Sequence, residues 1–232
     1  ARLGDIYVFD AFGTAHREQA STHSAIKNAP IACAGLLLER EKNFLSRALN
    51  NYESPYVAVI GGAKVSTKLE LIKCRRSVAD YVIVGGGIAN TFLKASGLNI
   101  GKSLVENSMI NTAKDLLEKG KIILPNKVIT SKTFEGEDIK EISVGDVSDE
   151  EMILDLDLNE ETIELIAQAK TILWNGPIGV FENSAFSKGT RNLSEAIANS
   201  EAFSLAGGGE TLLAINKYIK SDDVSYCSTG GG

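Results

Sequence analysis

Soft metal ligands and cross-linking residues are scarce in this sequence, which holds three cysteines and two histidines in 232 residues. Cys33, Cys74 and Cys227 are scattered, no pair has metal-ligand spacing, and His16 and His23 add too little for a zinc site. A chain of this length needs no disulfide staples, so the three read as reduced thiols of a cytosolic protein. An excess of positive charge is also lacking. The formal net charge of −6 argues against a broad basic face for nucleic acid or a membrane surface. No signal-peptide apolar region opens the chain, and no apolar run is long enough to span a bilayer. An anionic ligand would therefore have to meet local lysines or helix N-termini.

What is present is an ordinary globular composition, with 44% hydrophobic and 23% charged residues. Short apolar runs alternate with amphipathic ones. Strands are expected at Ile6–Phe9, Tyr56–Ile60, Val82–Val84, Lys121–Leu124, Ile153–Leu156, Thr171–Trp174, Phe203–Ala206 and Val224–Cys227. Helices are expected at Ala32–Leu49, Lys68–Ala79, Ile88–Ala95, Met109–Glu118, Glu160–Ala169, Thr190–Ala198 and Glu210–Tyr218, with Asn159 as the start signal of the fifth. The acidic stretch Glu135–Glu151 reads as a solvated excursion. Uniformly apolar strands between amphipathic helices imply a doubly wound α/β domain, a Rossmann-like parallel sheet with helices on both faces. Ligands of such a sheet sit at the carboxyl ends of its strands.

Residues 1–31 hold too little to make a domain and read as the tail of a preceding α/β domain. Residues 32–53 read as a connecting helix and linker, and residues 54–232 as the main domain, cut at its C-terminal end. The chain opens without Met at Ala1-Arg2-Leu3 and stops at a glycine turn that ordinarily feeds a helix, so an internal fragment is expected.

Four glycine clusters follow four strands: Gly61-Gly62, Gly85-Gly86-Gly87, Gly207-Gly208-Gly209 and Gly230-Gly231-Gly232. Glycine there lets backbone approach a ligand, and a helix starting there offers free N–H groups to phosphate. Any one cluster is as well explained by a tight turn. Four in one domain favour a nucleotide or phosphate cleft. None is a Walker A motif and none carries the dinucleotide fingerprint, which disfavours a dehydrogenase.

Lys64 and Lys68 follow the first turn, placed to neutralise different phosphates, although a surface lysine is usually only solvated. Glu182, after Trp174-Asn175-Gly176-Pro177, suits two ribose hydroxyls. Glu210 at a helix start suits either the helix dipole or Mg²⁺. His16 and Arg17 follow the first strand, and Arg suits bidentate anion contact. No Ser-His or Cys-His arrangement appears, as expected where positioning and charge neutralisation suffice. A noncatalytic nucleotide-binding module and an α/β oxidoreductase are the competing readings.

The strings DAFGTAHR, GGAKVSTK, GGGIANTFLK, WNGPIGVFE, GGGET and STGGG, in this order and spacing, resemble phosphoglycerate kinases over essentially the whole chain. The resemblance implies a cytoplasmic glycolytic enzyme of two Rossmann-like domains. One binds 3-phosphoglycerate or 1,3-bisphosphoglycerate and the other Mg²⁺ with ATP or ADP. A monomer without nucleic-acid or membrane partners is expected. By the resemblance, His16 and Arg17 belong to the phosphoglycerate patch, Lys64 follows the phosphoryl group, and Lys68 meets the α-phosphate. Gly62, Ala63, Gly85, Gly86, Leu104, Phe134, Leu154, Pro177 and Val180 would line the base and ribose pocket. Asn175 would point at the phosphates and Glu182 hold the ribose. Gly208, Gly209, Glu210 and Thr211 would meet the phosphate tail, with Glu210 at the metal. Gly230, Gly231 and Gly232 would begin the helix that balances the charge in transfer.

Two departures stand out. Where the family usually has GGGD, Glu210 carries an extra methylene that moves the carboxylate about 1.5 Å, a C–C bond length, which favours water-mediated over direct Mg²⁺ contact. Most of the phosphoglycerate-binding portion, with its other arginines, has no counterpart here. A chain that binds nucleotide but does not turn over alone is expected.

Overall fold

The structure is a computed structural model that describes residues 4–230, except for the side chains of residues 74–76. Gly231 and Gly232 therefore lie outside the described residues.

Two strands open the chain. β1 (Ile6–Phe9) pairs in parallel with β2 (Ile31–Ala34), Ile6 opposite Ile31. A short helix α1 (Ala25–Asn28) lies between them, and α2 (Leu36–Leu49) follows. The expected helix over Ala32–Leu49 is thus corrected at its start. Ala32, Cys33 and Ala34 belong to β2, and Gly35, in extended backbone, separates strand from helix. A short apolar run does not reveal by periodicity whether it is strand or helix, and the pairing with β1 decided it.

The main sheet has six parallel strands in the order β11-β10-β9-β3-β4-β5. They are β3 (Tyr56–Ile60), β4 (Tyr81–Val84), β5 (Ile122–Ile123), β9 (Thr171–Asn175), β10 (Phe203–Gly207) and β11 (Tyr226–Ser228). β3 and β9 are buried along their whole length, which is why β3 reads as an unbroken apolar run and β9 carries one in Ile172-Leu173-Trp174. The helices are α3 (Val65–Val78), α4 (Gly86–Ala95), α5 (Ile110–Glu118), α6 (Glu160–Gln168), α7 (Lys188–Ala198) and α8 (Gly209–Tyr218). The Asn159 side chain caps α6 by accepting the Thr162 N–H at 2.8 Å, as expected from its place before the apolar run.

From β3 the chain winds outward through β4 to β5; from β9 it winds the other way through β10 to β11. The switch point therefore lies between β3 and β9, beneath the Gly61-Gly62 and Asn175-Gly176-Pro177 turns.

A third, antiparallel sheet was not expected. β6 (Lys127–Ser131) pairs antiparallel with both β7 (Lys140–Ser143) and β8 (Met152–Asp157). β7 lies inside Glu135–Glu151, so the reading of that stretch as a solvated excursion is corrected. Its last residue, Glu151, is buried and accepts from Lys140 Nζ at 2.8 Å. Pairing with a neighbour, rather than apolar content, makes β7 a strand.

Candidate functional site

The turns after β3 and β9 touch backbone to backbone. Gly61 N–H donates to the Asn175 carbonyl at 2.9 Å. A Cβ on Gly61 would lie 1.9 Å from the Pro177 carbonyl oxygen, and one on Gly176, at φ +103°, would lie 2.4 Å from the Gly61 oxygen. Only glycine fits this crossing. Gly86 opens α4 at φ +61°, its N–H donating to Ile178 O at 3.0 Å. The third glycine turn, with Gly208 at φ +94°, begins α8.

Beside this junction lies a cavity of about 370 Å³, large enough for a small organic ligand. Its floor is Gly62, Ala63, Gly86 and Pro177. Leu104, Phe134, Leu154 and Val180 form its apolar walls. Leu104 and Phe134 are more than half exposed, large apolar groups at the mouth with their faces open. The Phe134 backbone is held by Asn183, whose Nδ2 donates to its carbonyl at 2.9 Å. Glu182 and Glu210 are the exposed carboxylates on the rim.

Next to the cavity, Lys68 in the first turn of α3 is half-buried and donates Nζ to Asn175 Oδ1. Burial holds its ammonium below the usual lysine value, and the Glu210 carboxylate opposes that fall. Asn175 Nδ2 donates to Gly207 O at 2.8 Å, so this side chain ties Lys68 to the third glycine turn. Thr211 is fully buried; its hydroxyl donates to Gly207 O and accepts from Gly176 N–H. Thr211 thus fastens the turn after β9 to that after β10. Lys64 is exposed just before α3.

The phosphoglycerate kinase family model matches residues 1–232. The chain belongs to the phosphoglycerate kinase family. It is 52% identical to the Vibrio campbellii phosphoglycerate kinase, covering all of this chain and 61% of that protein. The phosphoglycerate kinase structure from Coxiella burnetii superimposes with a TM-score of 0.93 at 48% identity, over 99% of this chain and 61% of that one. That from Pyrococcus horikoshii gives 0.83 at 34% identity, over 99% and 60%. The chain thus spans about three fifths of the length of these relatives.

Against the family's pattern, the structure gathers Gly62, Ala63, Gly86, Leu104, Phe134, Leu154, Pro177, Val180, Glu182 and Glu210 around one cavity. Lys68, Asn175, Gly208, Gly209 and Thr211 stand beside it at the strand ends. Gly85 packs under Ile178 instead of facing the opening. His16 and Arg17 lie apart, exposed on the loop after β1. That loop meets the end of the chain, since a Cβ on Gly13 would lie 2.9 Å from Thr229 O and one on Gly230 would lie 2.7 Å from the Phe12 ring.

Sequence reasoning missed two buried polar groups in the cavity wall, Asn90 and Asp155, and the exposed Lys102 at its edge. Asp155 is fully buried, its Oδ2 accepting from Gly189 N–H at 2.7 Å and its Oδ1 from Leu156 N–H at 3.0 Å. Burial pushes its carboxyl up to about 7, against the pull of those two N–H groups. The available signal was one polar residue inside an apolar run, Ile88-Ala89-Asn90 and Leu154-Asp155-Leu156.

Proposed function

We propose that this chain is the nucleotide-holding part of a phosphoglycerate kinase, with residues 54–232 as the nucleotide-binding domain. The reaction moves the terminal phosphoryl group of ATP to the carboxylate of 3-phosphoglycerate, giving ADP and 1,3-bisphosphoglycerate, and runs in reverse. The observation that supports this most is one cavity at the switch point, with apolar jaws at its mouth and a cation at its strand-end side. A planar base fits between Leu104, Phe134 and Leu154, and Glu182 suits the ribose hydroxyls. Lys68 and the N-terminal N–H groups of α8 then meet the phosphates. Lys64, exposed in the same loop, can follow the phosphoryl group across. Glu210 is the carboxylate here that would hold Mg²⁺ together with nucleotide oxygens, and the bound ion would neutralise phosphate charge. His16 and Arg17 belong to the acceptor side. In this reading the protein is a cytoplasmic monomer with small-molecule partners only; no helix among the described residues is long and apolar enough to cross a membrane.

Calorimetry with ADP and with adenosine tests this. Lys68→Met should weaken ADP roughly ten- to hundred-fold, the cost of a charge-assisted hydrogen bond, and leave adenosine within about two-fold. Equal loss of both would reduce Lys68 to a support for Asn175, and no ADP binding by the unaltered chain would sink the reading.

A further inference from the structure

Asn90 projects from the fourth residue after Gly86, so it lies on the same face of α4 as the glycine that floors the cavity. Its side chain is 3% exposed. Its Nδ2 donates to the Leu104 carbonyl at 3.2 Å. A carbonyl can only accept, so this bond fixes which end of the amide is nitrogen. The other end, Oδ1, is buried and has no hydrogen-bond partner. Buried polar atoms in native folds are nearly always paired, and an orphan in a cavity wall calls for an explanation.

We propose that Asn90 is the base-reading residue of the pocket: its Oδ1 accepts a hydrogen bond from the exocyclic amino group of a 6-aminopurine. This rests on the nucleotide reading given above and adds the residue that selects its adenine base. The apolar jaw Leu104 ties the argument to the base and not to the sugar or phosphates. The carbonyl of Leu104 holds the Asn90 amide, and its Cδ2 overlies Gly87, 3.1 Å from where a Cβ would stand. Leu104 is 54% exposed and can swing away as a flat ring enters. The ring then reaches Oδ1 and pairs it. The amino group is the only hydrogen-bond donor on the adenine ring, whereas a 6-oxopurine presents an acceptor at the same place and would leave two lone pairs facing each other. The mismatch repels in a water-poor wall, where an unmet polar group is costly.

The test is calorimetry of the full chain with ADP, with purine riboside 5′-diphosphate, which has hydrogen in place of the amino group, and with inosine 5′-diphosphate. The unaltered chain should bind ADP tightest and inosine diphosphate weakest, with ADP favoured over the purine riboside diphosphate by roughly five- to ten-fold, one net hydrogen bond. Asn90→Leu keeps the bulk and removes the acceptor. It should bring the three nucleotides within about two-fold of one another, and any loosening of Leu104 should weaken all three alike, leaving the ratio as the readout. Equal binding of ADP and the purine riboside diphosphate by the unaltered chain would overturn the proposal, and that comparison needs no variant to fold. An Asn90→Leu chain that keeps the original preference would overturn it as well. Failure of every nucleotide to bind the unaltered chain would instead remove the nucleotide reading on which the proposal stands.

Discussion

Asp155 shows how a single residue sets a pH response. β8 carries it between Leu154 and Leu156, where it packs against Gly179 and Gly189 and accepts two backbone N–H groups. Burial raises its carboxyl to about 7; Asp157 adds to the rise and Lys188 opposes it. In an unfolded chain an aspartate titrates near 3.9. The folded state therefore holds this proton more tightly, and the stability due to Asp155 falls as pH rises from about 4 to about 7, staying low above that. The fall is of order 4 kcal/mol if the whole difference is expressed. Asp155→Asn removes the titration and can still accept the Gly189 N–H. Urea denaturation at pH 5 and pH 8 should show the variant losing less stability between the two than the unaltered chain. A parallel loss in both chains would mean that Asp155 is not the group responsible.

At the scale of elements, α2 joins the β1–β2 pair to the main sheet through polar and aromatic contacts alike. Asp10 Oδ1 accepts the Leu38 N–H at 2.7 Å near the helix start, where a carboxylate suits the dipole. Arg47 lies over the Phe203 ring at 4.1 Å, and Phe44 stacks on Tyr226 at 4.1 Å. Glu41 is fully buried and accepts from Ser228 Oγ, Thr229 N–H and Thr229 Oγ1 at 2.9, 2.7 and 2.6 Å. Removing it strands three donors at the end of β11. Glu41→Ala should cost about 2–4 kcal/mol, at roughly 1 kcal/mol for each lost bond with further cost for donors left buried, read as a lower urea midpoint. Glu41→Gln, which keeps an acceptor, should cost less, and a loss below about 0.5 kcal/mol for Ala would show that water satisfies those donors. The same elements explain what the sequence could reveal. Every strand of the main sheet was readable, because strands covered on both faces are dominated by apolar residues. Glu41 was not, since Arg40-Glu41-Lys42 reads as a solvated helix face and its partners lie 187 and 188 residues away. β6 and β7 were hidden because their partners across the small sheet, more than their own composition, make them strands. The glycine turns of the site were legible because close backbone approach demands that residue type. Asn90 and Asp155 were not, because the Leu104 carbonyl and the Gly189 N–H that define their roles are backbone groups 14 and 34 residues distant.

Across the whole molecule, burial is uneven. Among the described residues the buried apolar core begins at Ala48 and runs on through the main sheet. In the β1–β2 pair, Ile6, Val8 and Ile31 are each more than half exposed. A two-stranded pair with open faces is marginal in water, so local opening there should need far less free energy than opening of the main sheet. Hydrogen exchange should accordingly label residues 6–9 and 31–34 orders of magnitude faster than β3 and β9. ADP should slow exchange in residues 61–68, 85–90 and 175–182, the segments around the cavity, and leave β1 and β2 unchanged. 3-Phosphoglycerate should slow none of these segments. Its recognition needs several cations around one anion, while the loop after β1 offers the exposed pair His16 and Arg17. Exposed ion pairs are worth only about 0–1 kcal/mol each, too little to immobilise the ligand or the loop. Protection of residues 12–17 by 3-phosphoglycerate would place a working acceptor site within this chain and overturn the assignment of its binding chiefly to residues outside it.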